Sequence, residues 1–155
     1  MKSCLKLTVI ILTLMLVLSA CKKSETEFVL NEFSSTVTFC LEEEEYKGDF
    51  VFRNKDEMTI VLSQPESIKG STFTYKNGET TLSFDGVIIA VRKTSPIKIL
   101  FEALSDFSKA PHTVKRKGTE VISSLNENGK YDVSVNCDEM RIKEINTGET
   151  VYILS

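Results

Sequence analysis

Residues 50–63 read Phe-Val-Phe-Arg-Asn-Lys-Asp-Glu-Met-Thr-Ile-Val-Leu-Ser, and their alternating pattern predicts the fold class. Large apolar side chains recur at every second position on both sides of a short polar centre. These positions are Phe50, Phe52, Met58, Ile60 and Leu62. Because successive side chains of a β-strand point to opposite faces, the alternation places all five on one face. The stretch therefore predicts two neighbouring strands that share a buried face.

The same period of two continues on both sides of this stretch. Thr, Val, Ile and Phe, which suit a half-buried pleated surface, dominate the alternating runs. The predicted strands cover residues 33–42, 47–54, 57–63, 68–76, 79–84, 87–92, 112–124, 130–137, 140–146 and 150–154.

Dipeptides that contain glycine separate the predicted strands. Asn77-Gly78 predicts a two-residue hairpin turn, because both central positions of such a turn must tolerate a positive φ. Asn128-Gly129 and Thr147-Gly148 mark two later hairpins. Lys47-Gly48 and Asp85-Gly86 are weaker turn signals, and the second is alternatively a bulge that bends a long strand.

One segment, residues 96–109, breaks the alternation. Ser95-Pro96 offers an N-cap and a proline at the first helical position. Apolar residues then follow at helical spacing, at Ile97, Leu100, Phe101, Leu104 and Phe107. This pattern predicts an amphipathic helix that ends before Pro111. The predicted fold class is therefore mainly β: a curved antiparallel sheet, or incomplete barrel, with one amphipathic helix covering its concave face.

The N-terminus has a different pattern. Lys2 and Lys6 precede an apolar run over residues 7–18, shorter than the roughly 20 residues that span a bilayer, which is typical of a signal peptide. Leu18-Ser19-Ala20-Cys21 resembles the lipobox of bacterial lipoproteins, in which cleavage precedes the cysteine and its thiol carries a diacylglyceryl group. The alternative is an ordinary signal peptide followed by a chance cysteine.

The lipobox resemblance implies a three-part chain. Residues 1–20 are a lipoprotein signal peptide, residues 21–32 the lipidated cysteine and a tether, and residues 33–155 a single β-rich domain. We expect the chain on the extracytoplasmic face of the bacterial cell membrane, held there by lipid on Cys21.

Cleavage also changes the charge balance. It removes Lys2 and Lys6 from the 19 Lys and Arg residues, which leaves 17 against 22 Asp and Glu and a formal charge of −5. An acidic domain is a poor partner for nucleic acid and is not drawn electrostatically to anionic membranes. The lipid on Cys21 must therefore supply the membrane anchoring.

Four runs carry a wider resemblance: Tyr46-Lys-Gly-Asp-Phe-Val-Phe-Arg53, Met58-Thr-Ile-Val-Leu-Ser-Gln-Pro65, Ser67-Ile-Lys-Gly-Ser-Thr-Phe-Thr-Tyr75 and Thr81-Leu-Ser-Phe-Asp-Gly86. With the lipobox and the helix after Ser-Pro, their order resembles small clostridial-type lipoproteins of the LolA/LolB-like half-barrel family, including spore-germination lipoproteins. The resemblance covers residues 33–154. It implies an incomplete barrel whose concave side holds acyl chains or is plugged, and some members of the family hold a partner protein. Lipidation of the chain itself departs from the soluble carriers, and no carrier residue maps onto a position here.

No catalytic or metal-binding constellation is evident in the sequence. His112 is the single histidine, and Ser123-Ser124 lacks the context of a nucleophile elbow. The acidic run at 42–45 is typical of a solvated turn and lacks the alternating ligands of a calcium loop. Lys115-Arg116-Lys117 is typical of a protected sheet edge. We therefore expect no enzymatic activity, no cofactor and no metal.

Two cysteines besides Cys21 remain after cleavage. Alternation places Cys40 on the face opposite Phe39, whereas Cys137 shares the apolar face of Val135. Residues on opposite faces of one sheet cannot meet, so the pattern favours free thiols over a disulfide.

Two functions remain open. The first is a non-catalytic binding module for an apolar ligand, a lipid, an acyl chain or a lipoprotein, held on the concave face. Its predicted ligand-binding residues are Phe50, Phe52, Ile60, Leu82, Phe84, Leu100, Phe101 and Leu104. The alternative is a scaffold lipoprotein that docks an exported partner, such as a cell-wall or germination enzyme, with the concave face filled by its own helix.

Overall fold

The computed structural model describes the backbone of residues 25–109, 112–115, 123–125, 131–136 and 140–155, and the side chains of residues 28–109, 131–136 and 140–155. These ranges contain twelve strands and one α-helix. The strands are β1 (Glu25–Phe28), β2 (Phe33–Leu41), β3 (Glu44–Asn54), β4 (Glu57–Gln64), β5 (Thr72–Lys76), β6 (Glu79–Phe84), β7 (Val87–Ala90), β8 (His112–Lys115), β9 (Ser123–Leu125), β10 (Asp132–Asn136), β11 (Arg141–Asn146) and β12 (Val151–Leu154). The helix is α1 (Pro96–Phe107), and a single 3-10 turn covers Glu66–Ile68.

Ten of the described strands form one open, curved antiparallel sheet. Their order is β7-β6-β5-β4-β3-β2-β12-β11-β10-β9, and β1 and β8 form a separate antiparallel pair. Pairing of β12 with β2 brings the last strand of the chain beside the first strand of the sheet. The predicted fold class, a mainly β protein with a curved antiparallel sheet and one helix, is confirmed.

Two-residue turns with positive φ join three of the hairpins. Asn77 and Gly78 (φ 51° and 86°) connect β5 to β6, as predicted. Asp85 and Gly86 (φ 49° and 79°) connect β6 to β7 directly, since Phe84 pairs with Val87, so the bulge alternative is wrong.

The turn between β2 and β3 differs from the prediction. It lies at Glu42-Glu43 (φ 49° and 74°), within the predicted solvated acidic run. Lys47-Gly48 is therefore not a turn but lies inside β3, where the register with β4 shifts. A glycine is needed there because a β-carbon on Gly48 would lie 2.7 Å from the Val61 carbonyl oxygen.

Other boundaries also move. The strand predicted at 68–76 begins only at Thr72, after the 3-10 turn and Gly70 (φ 84°). The strand predicted at 112–124 is divided, because β8 pairs with β1 while β9 pairs with β10 in the large sheet. The Asn128-Gly129 turn lies outside the described residues. The predicted helix ends two residues early, at Phe107, and Ser95 precedes it without a capping hydrogen bond from its side chain.

The helix packs against the apolar face of the sheet. The Phe101 ring lies 6.5 Å from that of Phe50 and 5.7 Å from that of Tyr75, measured between ring centroids. At the start of the helix, the Tyr152 hydroxyl on β12 donates to the Pro96 carbonyl oxygen at 2.7 Å. These contacts reach from β3 and β5 to β12, so the predicted cover over the concave face is present.

Part of the segment predicted as a tether is folded. Glu25–Phe28 is strand β1, and Phe28 is buried with its ring centroid 5.9 Å from that of Phe107. Burial of this aromatic side chain stabilises the strand, which explains why part of the predicted tether is folded.

Candidate functional site

The helix fills the part of the concave face that was predicted to hold a ligand. Six of the eight predicted ligand-binding residues are fully buried in the hydrophobic core. They are Phe50, Phe52, Ile60, Leu100, Phe101 and Leu104. Since protein cores are close-packed, an acyl chain cannot enter among these side chains without displacing the helix. The structure therefore assigns these six residues to the core.

The other two predicted residues, Leu82 and Phe84, lie outside this packed region. Leu82 pairs with Phe73 on one side and Ile89 on the other, and Phe84 pairs with Val87. Directly paired residues of antiparallel strands share one face, and this series continues the face of Ile60, which pairs with Phe73. We call this series the apolar strip; it consists of Phe73, Leu82, Phe84, Val87 and Ile89.

Exposure increases along the strip toward the sheet edge. Phe73 and Leu82 are half-buried, whereas Phe84 is 36%, Ile89 53% and Val87 62% exposed. A helix rises about 1.5 Å per residue, so the twelve residues of α1 span about 18 Å. Strands lie about 4.8 Å apart, so even a helix laid straight across them covers about four strands. The concave face near β6 and β7 is left uncovered for this reason.

Strand β7 is apolar on both of its faces. Ile88, which points to the face opposite the apolar strip, is 70% exposed, and all four residues of Val87–Ala90 are exposed. Natural edge strands commonly carry charges, proline or bulges that prevent pairing with another chain. Within β7 there are none of these features; the nearest charges are Asp85 before it and Arg92 and Lys93 after it.

A separate cleft lies away from β7, where β2 and β11 begin. It has a volume of about 520 Å³, a size usual for ligand sites, and lies between residues 28–33 and 140–142. Its apolar lining consists of Phe28, Val29, Leu30, Phe33, Met140 and Ile142. Glu32 and Arg141 add charge at its sides. This cleft was not predicted, because its two walls are more than 100 residues apart in sequence.

The described residues offer little chemistry beyond these surfaces. No group of three or more His, Cys, Asp or Glu side chains among them is placed to hold a metal ion. Cys40 is a free, exposed thiol, on the face that alternation predicted. Several residues that the sequence analysis considered lie outside the described part. They are the side chains of His112, Lys115, Ser123 and Ser124, and the whole of residues Arg116, Lys117 and Cys137. No helix in the described ranges is long and apolar enough to cross a membrane.

The structure is similar to that of a LolA superfamily protein. That protein is LolA superfamily protein NE2245 from Nitrosomonas europaea, with a TM-score of 0.41 and 10% sequence identity. The alignment covers 79% of this chain and 64% of that chain, so this chain matches less than two thirds of its neighbour's length. No protein-family model matches the sequence, and no curated protein matches it.

Residues 87–89 are the functional candidates that the ligand prediction missed. A signal was present: Val-Ile-Ile-Ala is an apolar run without alternation, which is typical of a strand covered on both faces. In the structure this strand is covered on neither face. Its apolar sequence therefore indicates a contact that the described residues do not supply.

Proposed function

We propose that this chain is a lipid-anchored, non-catalytic binding protein on the extracytoplasmic face of the bacterial membrane, and that it docks an exported partner protein through the apolar strip. This is the scaffold function, not the internal ligand-binding function that the concave face first suggested. The lipid on Cys21 would hold the strip close to the membrane, where exported proteins pass.

One observation carries the proposal: the apolar strip ends in an edge strand whose residues are all exposed. Monomeric soluble proteins rarely expose large contiguous apolar patches, and such patches commonly mark interaction sites. The rest of the same face is buried beneath α1, which argues against an internal ligand there. An open strip that ends at an exposed sheet edge offers a protein partner more contact area than it offers a small molecule, which requires an enclosing site.

The absence of catalysis is part of the proposal. Its support is the sequence, which has one histidine and no nucleophile or metal motif. Among the described residues, no group of three or more His, Cys, Asp or Glu side chains is placed to hold a metal ion.

Crosslinking in native membranes tests the docking proposal. We expect the wild-type chain to crosslink to a specific exported protein, and Phe84→Asp to lose that product, because a charge in the strip must be desolvated on docking. Ile153→Asp is the matched control, since Ile153 is 48% exposed on the central strand β12, away from the strip. If Phe84→Asp and the wild-type chain recover equal amounts of the partner, the strip is not the docking surface.

The cleft of about 520 Å³ favours a second function, the binding of an apolar ligand such as an acyl chain. Its walls include the exposed side chains of Val29 and Met140, and burial of apolar surface contributes about 25 cal/mol per Å².

Titration with a fluorescent fatty-acid probe tests this second function. Binding with a stoichiometry near one that is weakened by Met140→Asp, and not by Ile153→Asp, would support it. A wild-type chain that fails to bind the probe would exclude it, while leaving the docking proposal untouched.

A further inference from the structure

Strand β7 ends the ten-stranded sheet with one side of its backbone unpaired. Among the described strands it pairs only with β6, through four residue pairs from Phe84–Val87 to Thr81–Ala90. No described residue pairs with the other edge of β7, and the strand contains neither a proline nor a charged residue that would prevent pairing with another chain.

The register identifies which backbone groups are available. The Val91 amide donates to the Thr80 carbonyl oxygen at 2.9 Å, so Val91 belongs to a hydrogen-bonded pair. Hydrogen-bonded and non-hydrogen-bonded pairs alternate along antiparallel strands. Val87 and Ile89 consequently direct their amide and carbonyl groups to β6, while Ile88 and Ala90 direct theirs to the open edge.

Charges at the two ends of β7 select the direction of a pairing strand. Asp85 precedes the strand, and Arg92 and Lys93 follow it; all three are exposed, and none forms an ion pair with another described residue. If two copies of β7 pair in antiparallel orientation, the acidic start of each lies against the basic end of the other. In parallel orientation like charges lie together, which is unfavourable.

We propose that the occupant of this edge is a second copy of the same chain, and that two β7 strands pair antiparallel about a two-fold axis beside Ile89. In this register Ile88 of each copy exchanges two backbone hydrogen bonds with Ala90 of the other, Ile89 faces Ile89, and Asp85 lies opposite Lys93. The register uses Val87–Val91 of both copies and keeps the turn at Asp85-Gly86 outside the ladder. A two-fold axis in this position makes the interface isologous.

The pairing continues the sheet across the two copies. The apolar strips of both then lie side by side on one face, and Ile88 gains a neighbour on the opposite face. This inference does not depend on the proposed docking function, because it concerns the backbone edge of β7 and not the partner that the strip contacts.

Disulfide crosslinking of the full chain in membranes tests the register. Ile89 faces its counterpart in a non-hydrogen-bonded pair, where α-carbons are about 4.5 Å apart, within the range that disulfides span. Ile89→Cys, with Cys40→Ser and Cys137→Ser and with Cys21 retained, should give a dimer on oxidation. Ile153→Cys in the same background is the control, because Ile153 has a similar exposure on a central strand and should stay monomeric.

The crosslinking has two outcomes that would overturn the proposal. One is a monomer from Ile89→Cys under conditions that oxidise the thiol. The other is a product of Ile89→Cys with a different protein, which would assign the edge to that protein's strand.

A charge exchange provides an independent test in the detergent-solubilised full chain. Ile89→Lys and Ile89→Glu should each lose the dimer, because like charges then face each other at the axis. Coexpression of the two variants, one of them tagged, should restore a mixed dimer. Restoration supports pairing at the axis, because a misfolded variant could not be rescued in this way. A dimer of unchanged stability in Ile89→Lys alone would refute the pairing.

Discussion

At the scale of single residues, Tyr152 connects the last strand to the helix through one hydrogen bond. Its hydroxyl donates to the Pro96 carbonyl oxygen at 2.7 Å, and its side chain is fully buried in the core. Tyr46 offers a contrast, because its hydroxyl donates at 3.0 Å to the exposed carboxylate of Glu44. The two tyrosines therefore differ in the free energy that their hydroxyl groups contribute.

We predict that Tyr152→Phe lowers the free energy of unfolding by about 1 kcal/mol, the usual net value of a buried hydrogen bond. Urea denaturation of the purified chain measures the effect. The slope of the unfolding free energy against urea concentration should not change. Tyr46→Phe is the matched control and should change stability little. An equal loss in both variants would show that the Pro96 contact contributes nothing specific.

Tyr152 also makes stability depend on alkaline pH. Burial raises the pKa of its phenol above the ordinary value of a tyrosine. The unfolded chain releases the proton above about pH 10, whereas the folded chain retains it, so stability falls as pH rises through this region. We predict that Tyr152→Phe loses part of this decline, measured by urea denaturation between about pH 9 and pH 11. Identical pH profiles would contradict the prediction.

Gly48 shows how a neighbouring backbone restricts a residue type. A β-carbon at this position would lie 2.7 Å from the Val61 carbonyl oxygen and 3.1 Å from Ile60 Cγ2. We predict that Gly48→Ala costs about 1–3 kcal/mol, the usual range for added atoms in a packed site. Thermal denaturation measures it, with the exposed neighbour-strand change Ser34→Ala as the control. A melting temperature as high as that of the control would show that the strands separate freely here.

At the scale of elements, the helix is the cover of the core. Phe101 is fully buried and contacts the rings of Phe50 and Tyr75 from two strands. We predict that Phe101→Ala costs about 3–5 kcal/mol of a total that is usually about 5–15 kcal/mol. Glu102→Ala is the control, because Glu102 is exposed and forms only a weak ion pair with Lys98, whose Nζ lies 3.9 Å away.

The melting temperatures of these two helix variants distinguish a helix that permanently covers the core from a helix that is a peripheral lid. A large decrease for Phe101→Ala, with little change for Glu102→Ala, fits a permanent cover. A nearly unchanged value for both would mean that α1 is a peripheral lid and that the concave face is open to ligands after all.

At the scale of the whole molecule, the proposed lipid on Cys21 would determine where the domain acts. Cys21 lies outside the described residues, and no described helix can cross a membrane. We predict that Cys21→Ala moves the chain from the membrane to the soluble fraction, because one or two acyl chains on Cys21 would supply the anchoring at about 0.8 kcal/mol per buried methylene. Cys40→Ser, which changes an exposed thiol within β2, should leave the chain in the membrane fraction. Unchanged detergent partitioning of Cys21→Ala would refute lipid anchoring.

Local patterns in the sequence predict most elements of this protein. Alternation at residues 50–63, positive-φ residues at Asn77-Gly78 and helical spacing from Ile97 to Phe107 are relations between near neighbours in the chain. They need no knowledge of distant contacts, and the strands, the hairpin and the helix are all present in the structure. The turn at Glu42-Glu43 was missed because glutamate gives no local signal for a positive φ.

Tertiary contacts determine which apolar residues belong to the core and which lie on the surface. Phe50 and Phe84 follow the same alternation, yet one lies beneath α1 and the other is exposed beyond it. The difference arises because a twelve-residue helix is too short to cover a ten-stranded sheet, and its position depends on contacts such as Tyr152 with Pro96, 56 residues apart. Local patterns specify which face of a strand is apolar, but coverage of that face depends on the packing of distant elements.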